Sequence, residues 1–178
     1  MVGGRALGQD GDQDIRLHAD REYRVIETQH STTDRIEIPG GNPAPARILM
    51  AGETTGGRFA LIQMVVRREH EPPSHLHTRE DEMVYVVEGR IVVSVDGERA
   101  EYRAGEAVFL PRGREHGYLL RSDEARLLVL AVPAGIEGFY AELEDARVDS
   151  RYVERLIAIA ARYGVEITGP PLRETAGA

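Results

Sequence analysis

The sequence predicts an all-β domain, a sandwich or barrel of short strands with a short helical extension at its C-terminal end. Between Arg35 and Ala134, runs rich in Val, Ile, Leu and aromatic residues recur at close, even spacing, with Gly, Pro and Asp between them. No helical pattern interrupts Arg47 to Val132, which excludes a parallel sheet with helical crossovers. After Gly135 the apolar period changes from two to that of a helix.

In chain order, Met1 to Asp14 is Gly- and Asp-rich and reads as a disordered leader. Ile15 to Thr33 is mixed and polar, with Tyr23, Val25 and Ile26 as its apolar cluster, and fits an edge strand or arm. Residues 1–34 are therefore set apart from a β domain over 35–134. Its strands are expected in Arg47–Met50, Phe59–Arg67, Met83–Val87, Arg90–Val95, Ala107–Leu110, Gly117–Leu120 and Arg126–Val132. Asp96-Gly97 is a two-residue hairpin turn, because both residues tolerate positive φ. Residues 135–178 hold the extension. Ile136, Phe139, Tyr140 and Leu143 make one helical face; Val153, Leu156, Ile157 and Ala160 make a second, with Ser150 as N-cap and Gly164 as stop. Gly169-Pro170-Pro171 ends regular structure. The two stripes are expected to pack on the β body or on a partner chain.

Composition narrows the chemistry. Among 178 residues there is no cysteine, which removes disulfides, thiolate metal sites and a cysteine nucleophile. Any metal must be held by His, Asp or Glu. The net charge of −8 argues against nucleic acid and against an anionic bilayer. The longest apolar run, Leu127 to Ala134, is too short to cross a membrane, and the start of the chain does not resemble a signal peptide. The cytoplasm is the expected location.

Three histidines form one informative arrangement. His75 and His77 are one residue apart, so on an extended segment both side chains leave the same face. Glu82 lies five residues beyond His77, past the polar bend Thr78-Arg79-Glu80-Asp81, at the head of a strand. His116 follows Pro111-Arg112-Gly113, where a return strand can bring it alongside. Three neutral imidazoles and one carboxylate make a partly open site for a divalent first-row metal.

These residues resemble the cupin superfamily. Its first motif is matched by His75, His77, Glu82 and Gly89, and its second by Gly105, Pro111, Gly113 and His116. Two positions depart from the pattern: Glu69 stands where a glycine often opens the first motif, and Leu120 where an asparagine often closes the second. Neither is a ligand. Val132-Pro133-Ala134-Gly135 before the Phe139-Tyr140 helix, and Tyr163-Gly164 before Gly169-Pro170-Pro171, are similar to small bacterial quercetinase-like cupins. The resemblance implies a single jelly-roll barrel with the metal in its mouth, ligated by His75, His77, Glu82 and His116, in a protein that commonly dimerises. The Asp14–Thr33 arm is then a candidate for exchange between chains.

Alternation from Glu82 sends Val84 and Val86 inward and Tyr85 outward; from His116 it sends Tyr118 and Leu120 inward. The lumen is then apolar apart from the metal and Tyr118, and suits a flat or greasy organic substrate. Tyr118 is either a catalytic group or a buried tyrosine whose hydroxyl is simply satisfied. Glu80 and Asp81 read as rim, His70 and Arg67-Arg68 as surface, and His18 and His30 as solvated residues.

The resemblance implies a metal-dependent dioxygenase acting on a hydroxylated aromatic or enolic molecule, with Glu82 as general base and iron, nickel, manganese or cobalt in the site, zinc being a further option. A redox-neutral isomerase, cyclase or lyase would use the same ion as a Lewis acid, with Glu82 or Tyr118 moving the proton. A non-catalytic binding cupin is the third reading. It is disfavoured because two helical patterns of a DNA-binding motif are missing before Arg35.

Overall fold

The computed structural model describes residues 46–144 and 152–174. The leader, the arm with His18 and His30, residues 35–45 and the Ser150 cap lie outside the described residues. Within them the chain forms β1 (Ala46–Met50), α1 (Gly52–Thr55), β2 (Ala60–Arg67), β3 (Pro73–His77), β4 (Asp81–Glu88), β5 (Arg90–Val95) and β6 (Glu98–Arg103). There follow β7 (Ala107–Leu110), β8 (His116–Leu120), β9 (Glu124–Val132), α2 (Glu137–Glu144), α3 (Tyr152–Arg162) and β10 (Val165–Pro171). The strands make two antiparallel five-stranded sheets, ordered β1-β2-β9-β4-β7 and β10-β3-β8-β5-β6. This is the all-β, jelly-roll architecture expected.

The period of two explains the core. Ile62, Met64 and Val66 of β2, Val84 and Val86 of β4, and Leu127 and Val129 of β9 all point between the sheets, while Tyr85 faces out. β2 and β9 pair without a slip from Ala60↔Ala131 to Arg67↔Glu124. A one-residue shift would turn every one of these side chains to water, so the apolar pattern itself fixes the register. Asp96 (φ 48°) and Gly97 (φ 87°) make the expected tight turn between β5 and β6.

Three strands fall outside the apolar runs expected to form them. β6 (Glu-Arg-Ala-Glu-Tyr-Arg) is a charged edge strand, which pairs through its backbone and needs no buried face. β3 carries Pro73 and two histidines, and is held largely by β10, its antiparallel partner over Val165↔His77, Glu166↔Leu76 and Ile167↔His75. β10 itself corrects the expectation that Gly169-Pro170-Pro171 stops regular structure: it is an outer strand, where proline is tolerated. A one-turn helix, α1, also interrupts the stretch expected to be free of helix.

Helix α2 uses the expected face, with Ile136 and Leu143 each 1% exposed. Helix α3 does not. Val153 and Ile157 point to solvent (64% and 46% exposed), and the inward face is Leu156, Ile159 and Ala160, continued by Tyr163. The two helices therefore meet the open end of the barrel, where Phe139, Tyr140, Leu143 and Leu156 wall a cavity. Gly164, at φ 79°, ends α3 as expected.

Candidate metal centre

His75 and His77 leave the same face of β3, and β8 brings His116 opposite His75 in antiparallel register. One nitrogen from each ring lies within 4.8 Å of the other two. Glu82, on β4 of the facing sheet, reaches across. Its Oε1 is 3.7 Å from His77 Nε2 and its Oε2 is 3.7 Å from His116 Nε2. The structure thus gathers the four side chains that the sequence singles out, from three strands and both sheets.

The loops are tied together around them. The Gly113 amide donates to the His77 carbonyl at 2.7 Å. Arg112 donates to the Asp81 carboxylate from its backbone amide and from both ends of its guanidinium, at 2.7–3.2 Å. This fork holds the Asp81 carboxyl down at about 2. Thr78 donates from backbone and hydroxyl to the Gly164 carbonyl, fastening the end of β3 to the C-terminal segment. The loop before β8 and the start of β10 therefore both brace the histidine strand.

The backing of each ring decides which nitrogen is free. His75 Nδ1 faces the Pro73 carbonyl at 2.8 Å, and His116 Nδ1 faces the Arg114 carbonyl at 3.0 Å. A carbonyl only accepts, so each Nδ1 carries the proton and each Nε2 keeps its lone pair. Burial, then the fields of His116 and His77, pushes His75 down to about 3. Burial also lowers His116. Burial alone would lower His77 too, but the carboxylates of Glu82 and Glu80 outweigh it and raise it.

Glu80 corrects the sequence reading. Asp81 lies at the rim as expected, but Glu80 is 2% exposed, with Oε2 3.5 Å from His77 Nδ1. The chain bends at Thr78 and Arg79 before β4 begins, and that bend turns Glu80 inward on the face it shares with Glu82.

The donor set fits a divalent transition ion. His116 Nε2 is buried with no hydrogen-bond partner among the described residues, which is costly in a dry site unless it binds something. Metal–nitrogen bonds of about 2.1 Å place neighbouring ligand atoms roughly 3–3.4 Å apart; here the Glu82 oxygens stand 3.7 Å from their imidazole nitrogens, and the ring nitrogens lie within 4.8 Å of one another.

Above the cluster is a cavity of about 870 Å³, counted out to its open mouth, with mostly apolar walls: Met64, Val84, Leu110, Val129, Phe139 and Leu143 among them. Tyr118 and Tyr140 also line it. The Tyr118 hydroxyl is shut off from solvent and has no hydrogen-bond partner among the described residues. Burial, reinforced by Tyr140 and Glu82, holds it well above the usual tyrosine range, so it stays a donor. Tyr140 is raised likewise by burial and Glu82, and its hydroxyl donates to the Met64 sulfur at 3.7 Å.

Comparison with known proteins agrees with this geometry. Residues 62–133 match the family described as Cupin domain. Over 107 residues the chain is 33% identical to a polyketide synthase, CurC, of Streptomyces cyaneus, covering 60% of this chain and 66% of that one. Over 96 residues it is 25% identical to quercetin 2,3-dioxygenase of Bacillus subtilis (strain 168), covering 54% and 28%. It thus spans about two thirds of one curated relative and little more than a quarter of the other. An RmlC-like cupin from Shewanella frigidimarina NCIMB 400 superposes with a TM-score of 0.51 at 25% identity, over 60% of this chain and 89% of that one.

Proposed function

We propose, from the match of residues 62–133 to the Cupin domain family, that this protein is a metal-dependent enzyme acting on a hydroxylated aromatic or enolic small molecule, as a dioxygenase. The observation that carries the proposal is the meeting, at one end of an apolar cavity, of three buried imidazoles, the Glu82 carboxylate and an unpartnered tyrosine hydroxyl. The similarity to quercetin 2,3-dioxygenase supports the substrate class.

His75, His77, His116 and Glu82 would hold the ion, which when bound supplies a Lewis acid and, if it is iron, nickel, manganese or cobalt, a route for electrons. The apolar walls bury a flat ring and exclude water, which strengthens every charge interaction inside. Glu82 stands where it can take the proton of an acidic phenol or enol as general base. Tyr118, held protonated, donates to an oxygen of the substrate and orients it. Cytoplasmic location and a homodimer belong to the same proposal.

A second reading, a redox-neutral cyclase, isomerase or lyase, is favoured by the 33% identity with CurC. In it Glu82 takes a carbon-bound or hydroxyl proton and returns it elsewhere on the same molecule, while Tyr118 stays protonated and hydrogen-bonds the oxygen that gains charge, with no oxidant consumed. Metal analysis of freshly purified protein, followed by oxygen uptake with a flavonol, tests the proposal. Uptake matched to ring cleavage supports the dioxygenase; turnover without oxygen and with zinc in the site replaces it by the second reading.

A further inference from the structure

The three ligating rings are not backed alike. His75 and His116 each point Nδ1 at the carbonyl two residues earlier in the chain. His77 instead presents Nδ1 to the carboxylate of Glu80, three residues later. The His77 and His116 rings are nearly parallel, 11° apart, so the difference lies in what stands behind each ring. Glu80 is 2% exposed, and its Oε2 and the His77 Nδ1 that it faces at 3.5 Å are both buried with no closer hydrogen-bond partner among the described residues. A carboxylate withdrawn from water this far is expensive unless a positive charge answers it. Among the described residues its ion-pair contact is with His77, and the Arg112 guanidinium acts on it only through its field.

We propose that Glu80 is a positioning residue for the metal centre, accepting the Nδ1–H of His77 so that this ring offers Nε2, and setting a compensating negative charge behind it. The inference rests on the metal-centre reading and adds to it. A ring hydrogen-bonded to a carboxylate is a stronger donor than one hydrogen-bonded to a carbonyl, so His77 becomes the firmest of the three ligands. Glu82 lines the cavity, and Glu80, behind His77, places a second carboxylate beside the three rings.

The test uses full-length protein stripped by chelation and titrated with Co²⁺ alone, for wild type, Glu80→Gln and Glu80→Ala. Glu80→Gln is nearly isosteric and keeps an acceptor, so it isolates the charge. The expected result is a loss of Co²⁺ affinity of about 10-fold for Glu80→Gln and up to about 100-fold for Glu80→Ala. The visible Co²⁺ bands should move in Glu80→Gln, and its metal-free melting temperature should be no lower than that of wild type. Unchanged affinity and spectrum in both Glu80 variants, with wild type binding normally, overturns the role of Glu80 alone. Wild type that takes up no Co²⁺ overturns the metal centre and this inference with it.

Discussion

His75 and His116 are cross-strand partners: they face each other in the antiparallel register of β3 and β8, with ring centroids 4.6 Å apart. Opposed residues on neighbouring strands are the closest pairs a sheet offers, so the ladder itself sets the spacing of two candidate ligands. His116→Ala should therefore empty the centre and leave the barrel intact. The side chain removed carries a buried nitrogen without a partner, so the metal-free fold loses little. Elemental analysis should show bound metal falling by more than the roughly 10–100-fold that loss of an outer-shell group costs. Full occupancy in the variant would mean that the ion sits elsewhere.

The histidines also set a pH dependence. His75 has its ordinary value of 6.5 in the unfolded chain and about 3 when folded. Below pH 6.5 the unfolded chain takes a proton that the folded chain refuses until about pH 3, so acid favours unfolding across that window. His116 is lowered and acts in the same sense. His77 is raised, so its contribution is present below 6.5 and lost as pH rises through its folded value. Below 6.5 His77 is protonated in both states and adds no opposing slope, so metal-free protein should lose stability on acidification from pH 6.5 toward 3. One proton corresponds to a slope of about 1.4 kcal/mol per pH unit. Chelated His75→Asn should show a flatter melting temperature against pH than chelated wild type; parallel curves would refute this. Metal loading should fall over the same range, because protonated imidazoles do not ligate.

The candidate ligands are legible in the sequence because local rules place them. Two histidines one apart share a strand face, and alternation carries Glu82, Val84 and Val86 to the same side. The same alternation run backward reaches Glu80, but Thr78-Arg79-Glu80-Asp81 is polar and reads as a bend, so the inward turn of Glu80 was hidden. β10 was hidden for another reason. Val165 to Pro171 has little strand character of its own and is set by pairing with β3, some 90 positions earlier, which no local pattern reports. In α3 the stripe beginning at Val153 and the one beginning at Leu156 both fit a helical period. Contact with the barrel chooses between them.

Glu69, where the first motif often has glycine, adopts φ 70°. A branched-free but Cβ-bearing residue there is strained, since left-handed backbone costs about 1–2 kcal/mol for non-glycine residues. Glu69→Gly should raise stability by about 0.5–1 kcal/mol, the relief exceeding the extra freedom given to the unfolded chain. Gly89→Ala is the opposite case. Gly89 has φ 88°, and a Cβ there would lie 2.6 Å from the Glu124 carbonyl oxygen and 2.9 Å from the Ala125 Cα. Backbone cannot yield cheaply, and a loss of about 1–3 kcal/mol or more is expected. Denaturant midpoints measure both; a destabilised Glu69→Gly would show that the turn needs the Glu69 side chain more than the relaxed backbone.

Tyr118 sets stability against function. Its hydroxyl is buried without a partner among the described residues, and a lone buried hydroxyl costs about 1–3 kcal/mol. Tyr118→Phe removes that cost and keeps the ring against the core, so the metal-free variant should melt higher than wild type. If the hydroxyl serves to donate to a bound oxygen, the same change should weaken a flavonol probe on the metal-loaded protein by about 2–10-fold, the worth of one neutral hydrogen bond. The two readouts move in opposite directions only if the orphaned group is kept for a ligand. A variant that melts lower would mean that the hydroxyl already has a structural partner, and one that melts higher yet binds the flavonol unchanged would mean that the substrate's oxygens lie at another wall of the cavity.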